Sequence, residues 1–451
     1  MSTVTQLEAA VKTIFGRADA LGRQTGFVQR VRSGKFTGRS FAATLVLGLL
    51  QAGDVSLSTL AHFATHVGVQ VSPQAIDERC GEAAARFLQA LLNVAFTQVV
   101  AAEPVAIPLL RRFREVIVED SSTFALPPQL QQEWEGCGGS GPLAAFKVQV
   151  RQDLLTGGFS GLAMQSGRTP DSRSVLKEQR RGARSVRIAD LGYFDTAQFQ
   201  QETEAGEYFL TRYKAGNVQL FSVEGERIDL LALLQQHAGQ ASYQTEVLVS
   251  ATRRVRARLL AIPVPEEVAV KRQATAIRKA QKHSRQVNPQ LLELSQWTLL
   301  LTNIPVEEVS LEEALVLYRL RWQIELLFKL WKHYERATTS RSQHPWHILC
   351  DLYARLLGCL IVHWVMIVGC WQLPSRSLVK AAHAIRTQAV LLAKALGGKL
   401  TLRWVLREIT QGLVGCRMNT RKTAPNAYQL MQPEPPPPRG AAPALSTSVL
   451  T

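Results

Sequence analysis

The chain has no apolar run of the length a bilayer requires, few cysteines and a shortage of acidic residues, and each lack excludes something. Leu356 to Trp371 is apolar apart from His363, but its 16 residues fall short of the roughly twenty needed to cross a membrane. It is expected to be a helix buried in a large core, and no membrane partner is expected. The six cysteines (Cys80, Cys137, Cys350, Cys359, Cys370 and Cys416) are scattered. None shows the two-residue spacing of a zinc knuckle or a redox motif, so free thiols in a reducing compartment are the simple account. Residues 1–20 contain Lys12 and Arg17 but no continuous apolar stretch, so no secretory signal is read. No internal repeat is visible, which argues against a solenoid. Against 36 Asp plus Glu stand 52 Lys plus Arg, a formal charge of +16. That imbalance points to polyanionic partners, nucleic acid before an anionic membrane surface.

What is present is ample material for a globular protein. Apolar residues make up 46% of 451 residues, and at about 150 residues per domain the length allows roughly three domains. Residues 1–110 read as a helical region. SLSTLAHFATHVG begins at Ser56 and stops at Gly68; Ser72-Pro73 then caps a second helix. That helix is expected to run through AIDERCGEAAARFLQALL, with Ile76, Cys80, Ala83 and Phe87 at helical spacing. The outline is that of a helix-turn-helix, whose second helix can enter a major groove. A plain helical hairpin has the same outline. Arg30, Arg32, Lys35 and Arg39 nearby favour DNA contact.

From residue 111 the pattern changes to strands. Val116-Ile117-Val118 suits a central strand, FKVQVRQDLL and GFSGLAMQSG an antiparallel meander, and VRIAD and GEYFLTRYK two further strands. Strands followed by helices in this order indicate an α/β or α+β core. Residues 216–300 hold further β-like runs (TEVLVSA, RARLLAIPV, WTLLLTN) and a basic segment, KRQATAIRKAQKHSR. This segment would be a polycationic helix, either a solvated face or a track along phosphates. The chain turns helical again after residue 310. It ends in PEPPPPRGAAPALSTSVLT, a proline-rich tail expected to be disordered.

The most informative segment is YRLRWQIELLFKLWK, Tyr318 to Lys332. Read as one helix at about 100° per residue, it places Tyr318, Arg321, Glu325, Lys329 and Lys332 within an arc of roughly 80°. Leu320, Ile324, Leu327 and Trp331 fall on the opposite side. One carboxylate among cations fits a solvent-facing row of ion pairs, each contributing about 0.2–0.5 kcal/mol. It can also be a metal-ligating acid among side chains that grip phosphates, a reading the wheel alone does not favour.

Tyr318, Arg321, Glu325 and Lys332, at these spacings, reproduce the YREK signature, and the chain resembles the bacterial insertion-sequence DDE transposases of the cut-and-paste group. The resemblance runs from FTGRSFAATLVLGLL to the helix after Glu325. It implies two upstream aspartates. VIVEDSSTFALP supplies Asp120 at a strand end before small hydroxyl residues, and RIADLGYFD supplies Asp190; Glu119 and Asp195 fit neither pattern. It also implies a ribonuclease-H-like α/β catalytic core (111–215 and 301–372) interrupted by a β-rich insertion (216–300). Helical N-terminal (1–110) and C-terminal (373–430) regions flank the core, and the tail (431–451) has no assigned role.

In that reading Asp120, Asp190 and Glu325 are both catalytic residues and metal ligands, meeting around two Mg²⁺ ions, with Mn²⁺ able to substitute. Tyr318, Arg321, Lys329 and Lys332 contact DNA. Trp297 resembles the insertion-domain tryptophan that holds a flipped base, or is an ordinary strand aromatic. The implied partners are double-stranded DNA at transposon ends and target, and a second copy of the chain in a synaptic dimer. The implied course is nicking, hairpin formation, hairpin opening and strand transfer, in a bacterial cytoplasm at the nucleoid. A ribonuclease-H-like nuclease without strand transfer, or an inactive DNA-binding derivative of a transposase, are the alternatives.

Overall fold

The computed structural model describes residues 3–29, 36–52, 55–139, 141–282, 286, 288–334, 342–373 and 376–418. Arg30, Arg32, Lys35, the end of the basic segment and the proline-rich tail lie outside the described residues. The fold is mixed α/β, with a large sheet and helical flanks. It divides into two compact units. One comprises the described parts of Met1–Pro108, Ser121–Thr169 and Gln323–Thr451; the other comprises Leu109–Asp120 and Pro170–Trp322.

The first unit is mainly helical. Its centre is the Pro345–Cys370 helix, opened by a proline in its first turn and buried along almost all of its length from Leu349. Among the described residues it is the one helix long and apolar enough to cross a membrane, and it is instead covered by protein. Thr3–Gln24, Gly38–Ala52 and Glu82–Phe96 pack on it or on one another, as do the C-terminal helices Leu378–Thr387, Ala389–Leu396 and Leu402–Gly412. Strands β2 (Ala144–Asp153) and β3 (Phe159–Ser166) form an antiparallel hairpin, from Phe146 opposite Ser166 to Gln152 opposite Phe159. The order in this unit is β3-β2 and then the second half of β1 (Glu115–Leu126). His363 of the long helix stacks on Phe159 at 4.1 Å and bonds the Gly157 carbonyl at 2.9 Å.

The helix expected to run on from Ser72-Pro73 is two helices. Ser72 does cap it, accepting from the Ala75 N–H, and Pro73 is in the first turn. The helix ends at Asp77, however, and a new one begins at Glu82 with Gly81 as its N-cap. Cys80 is therefore not helical. The second helix buries Ala84, Ala85, Phe87, Leu88, Leu91, Leu92 and Ala95, so its apolar stripe serves the core. The piece that follows the Gly68 turn is five residues long and carries an acid, Asp77. Helical periodicity continued across a break because both pieces answer to the same interior.

The second unit is a twisted sheet in the order β1-β4-β5-β9-β8-β7-β6. Its further strands are β4 (Ser185–Ala189), β5 (Tyr208–Arg212), β6 (Leu220–Phe221), β7 (Tyr243–Val249), β8 (Val255–Pro263) and β9 (Trp297–Thr302). The expected strands all form. β1, β4 and β5 pair in parallel, and β9, β8, β7 and β6 continue antiparallel from β5. The strands read as an insertion thus extend the sheet beyond β5. Val116, Ile117 and Val118 are fully buried, as a strand between two neighbours and covered on both faces requires. The basic segment lies on the Glu266–Lys282 helix, as expected from its composition. Arg272 ties that helix to β9 through the carbonyls of Ser295 (3.4 Å) and Trp297 (3.1 Å) and the Thr298 hydroxyl (3.1 Å).

Candidate active site

The parallel register of the second unit fixes which residues stand abreast. β1 and β4 pair from Glu115–Ser185 to Glu119–Ala189, so the next residues on each strand are Asp120 and Asp190. β4 and β5 pair up to Ala189–Thr211, which brings Arg212 level with Asp190. With strands about 4.8 Å apart, two carboxylates and one guanidinium share the carboxyl edge of three neighbouring parallel strands. Such edges are where open α/β sheets bind ligands. Glu119, Ala189 and Thr211, one residue back, are buried. The trio that follows, at the carboxyl ends of the paired stretches, is less covered: Asp120 and Asp190 are half-buried and Arg212 is exposed.

A buried ion network underlies this edge. Arg187 of β4 donates to Glu202 through Nε at 2.6 Å and Nη2 at 3.0 Å, and lies 3.9 Å from Glu119. Arg181 joins Glu202 at 2.6 Å to Glu207 at 2.8 Å. Burial opposes charge on these groups, yet Glu202 and Glu119 hold Arg187 protonated above its ordinary range. Burial likewise pushes Glu202 up, but Arg187 and Arg181 outweigh it and hold the carboxylate below its usual value. The network thereby connects β1, β4 and the Thr196–Glu204 helix.

Two residues of the signature segment meet the same edge. Arg321 Nη1 lies 3.6 Å from Asp120 Oδ2. The Tyr318 hydroxyl is buried without a hydrogen bond of normal geometry. Its pKa is pushed up to about 12, by burial first and then by the charge of Asp190, with Arg321 and Arg212 opposing.

The segment itself is not one helix. A helix runs from Leu311 to Arg319 behind a Ser310–Glu313 capping box, and a second from Trp322 to Lys329. A wider, π-helical turn then covers Leu330–Tyr334. At the joint, the N–H groups of Leu320 and Arg321 bond the carbonyls three residues back, Leu317 and Tyr318. That tighter turn shifts the phase, so the 80° arc expected for five side chains does not hold across it. Neither glycine nor proline marks the joint. It coincides with two tertiary contacts, full burial of Leu320 and the Arg321–Asp120 pair. The expected anchor side survives: Leu320, Ile324, Leu327 and Trp331 are all buried.

The other candidates are Glu325, Lys329, Lys332 and Trp297. Glu325 is half-buried, in the first turn of the Trp322–Lys329 helix, and belongs to the first unit. Lys329 is exposed. Lys332 donates to the Thr123 carbonyl at 2.8 Å and sits 5.1 Å from the centre of the Phe124 ring; burial lowers its pKa. Trp297 opens β9, partly buried against the core cluster around Phe209, Leu259 and Leu301. Among the described residues, no three His, Cys, Asp or Glu side chains form a ready metal-binding group. Arg212 was not among the residues singled out in the sequence. Its signal, a cation ending a strand two residues after Leu210, acquires meaning only from the register.

The sequence pattern of the transposase DDE domain matches residues 111–361, more than half of the chain. The chain is 24% identical over 380 residues to a transposase for insertion sequence element IS1151 of Clostridium perfringens, covering 79% of each. It is 26% identical over 365 residues to the transposase for element IS231F of Bacillus thuringiensis subsp. israelensis, covering 76% of each. With Asp120 and Asp190 abreast at a parallel strand edge inside the matched span, the chain belongs to the insertion-sequence DDE transposase family.

Proposed function

We propose that this protein catalyses DNA transposition, cutting double-stranded DNA at the ends of an insertion sequence and joining the freed 3′ ends to target DNA. The observation that carries the proposal is the register that sets Asp120 beside Asp190 in a chain of this family. The relatives named as transposases support it. So do the parallel β1, β4 and β5 with an antiparallel β2–β3 hairpin, which fit a ribonuclease-H-like core. The charge of +16 suits a phosphate-rich partner. A homodimer that brings two DNA ends together belongs to the same proposal.

The donor chemistry of the site fits hard divalent cations, since carboxylate oxygens are what Mg²⁺ and Mn²⁺ prefer. Asp120, Asp190 and Glu325 would hold two Mg²⁺ ions. When bound, such a pair activates the attacking oxygen and stabilises the leaving one. The chain's own residues do the rest. Arg187 and Glu202 hold the two strands in register and so hold the two aspartates level. Arg321 offers a planar fork to a phosphate once Asp120 turns to another cation. Burial and the negative charge of Asp190 keep Tyr318 protonated, so it is a donor and never an anion near the substrate. Lys329, exposed on its helix, would contact the backbone of bound DNA.

The test is incubation of the protein and Mg²⁺ with a plasmid and a duplex carrying the inverted repeat that borders the coding region. Joined products are expected; cuts without joining would demote the protein to a nuclease. Asp120→Ala, Asp190→Ala and Glu325→Gln should each abolish cutting and leave DNA binding within a few-fold of the parent. Undiminished cutting by one of these variants would remove that residue from the site.

A further inference from the structure

Resting on the transposition reading above, we propose that Arg212 is a substrate-binding residue of the active site, holding the phosphate next to the one that is cut. It is the last residue of β5, abreast of Asp190 and two strands from Asp120. At about 4.8 Å per strand its backbone stands about 5 Å from that of Asp190 and about 10 Å from that of Asp120. Its side chain is exposed. Among the described residues its guanidinium makes no hydrogen bond and pairs with no carboxylate.

The surroundings call for an anion. Arg321, on the Asp120 side, already has a carboxylate at 3.6 Å. Arg272, whose electrostatics respond to Arg212, spends its donors on the carbonyls of Ser295 and Trp297 and on the Thr298 hydroxyl. Two guanidiniums thus stand within electrostatic reach of each other. The Tyr318 hydroxyl, which feels the charge of Arg212, is buried with no hydrogen bond of normal geometry. A phosphodiester oxygen satisfies both: it neutralises Arg212 through a forked pair of N–H groups and can accept from Tyr318. A mobile inorganic anion would need no alignment with the carboxylate edge, whereas a phosphate in a strand of DNA must pass along it.

Arg212 forms no covalent bond. Phosphoryl transfer gathers negative charge on the oxygens of the phosphate that is cut, and a fixed cation held on its neighbour stabilises that state more than the ground state. The effect should therefore fall on the rate of cutting more than on affinity. Arg212→Gln should lower single-turnover cleavage of the inverted-repeat duplex by about 10²–10³-fold. The dependence of log affinity on log salt should become shallower by about 0.9, the share of one phosphate contact. Arg212→Lys keeps the charge but loses the fork, and should recover part of the rate.

The decisive measurement is a scan in which a neutral methylphosphonate replaces each phosphate flanking the cut, with parent and Arg212→Gln assayed in parallel. One position should slow the parent and leave the variant unaffected. Cleavage by Arg212→Gln within about threefold of the parent, or the same scan for both proteins, overturns the assignment of Arg212 alone. If the parent itself neither cuts nor joins its end DNA, the transposition reading falls and Arg212 falls with it.

Discussion

Replacing Arg187 by methionine is the sharpest test of how the aspartate edge is built. The guanidinium is buried to within 1% of complete and serves Glu202 at 2.6 and 3.0 Å and Glu119 at 3.9 Å. Methionine fills much of the same volume but leaves Glu119 without that neighbour. Among the described residues, Glu202 keeps Arg181 and the Gln198 amide at 3.1 Å. Breaking a buried pair from one side costs about 3–5 kcal/mol, which at about 1.4 kcal/mol per tenfold is roughly 10²–10³·⁵ in an opening equilibrium. Hydrogen exchange reads this locally. Amides of β4 and of the Thr196–Glu204 helix should exchange faster by about that factor. A second substitution, Glu202→Met, removes the stranded carboxylate while Arg181 still holds Glu207 at 2.8 Å. The double variant should recover most of the protection, less what Glu119 loses. If Arg187→Met leaves β4 as protected as the parent, or the double variant is no better than the single, the network does not set the register.

Three further outcomes follow from the same structure. Glu202 is held below the ordinary glutamate value of 4.5 because its two arginines outweigh burial; its contribution is complete above that value and lost as pH falls through the lowered one, so β4 exchange should accelerate in acid below about pH 4.5, and less steeply in Glu202→Gln. His363 is lowered by burial from 6.5 to about 4. Between those values the unfolded chain takes up a proton that the folded chain refuses, so stability should fall as pH drops from 6.5 toward 4, and His363→Gln should flatten that part of a melting-temperature profile. Gly157 has φ +72°, and a Cβ there would lie 2.4 Å from the Trp371 ring. Gly157→Ala should therefore cost more than about 1 kcal/mol and lower Tm by about 2 °C or more; an unchanged Tm would show that the Trp371 contact yields freely.

Much of this protein could be read residue by residue. The strand runs, the helix cap at Ser72 and the covered helix around His363 depend on neighbours a few positions away, and local periodicity carries that information. Asp120 and Asp190 are reached through the family resemblance and the short apolar runs that precede them; β1 itself runs on past Asp120 to Leu126. Other features depend on which distant segments lie side by side. The breaks at Glu78–Gly81 and Leu320–Arg321 carry an unbroken helical rhythm, because rhythm records which side is buried and not whether the backbone continues. Arg187 sits inside VRIAD like any strand arginine until pairing sets it between Glu119 and Glu202. Arg212 gains its place only when β5 aligns with β4. Pairing brings together residues tens of positions apart, and a single chain read in order has no term for that proximity.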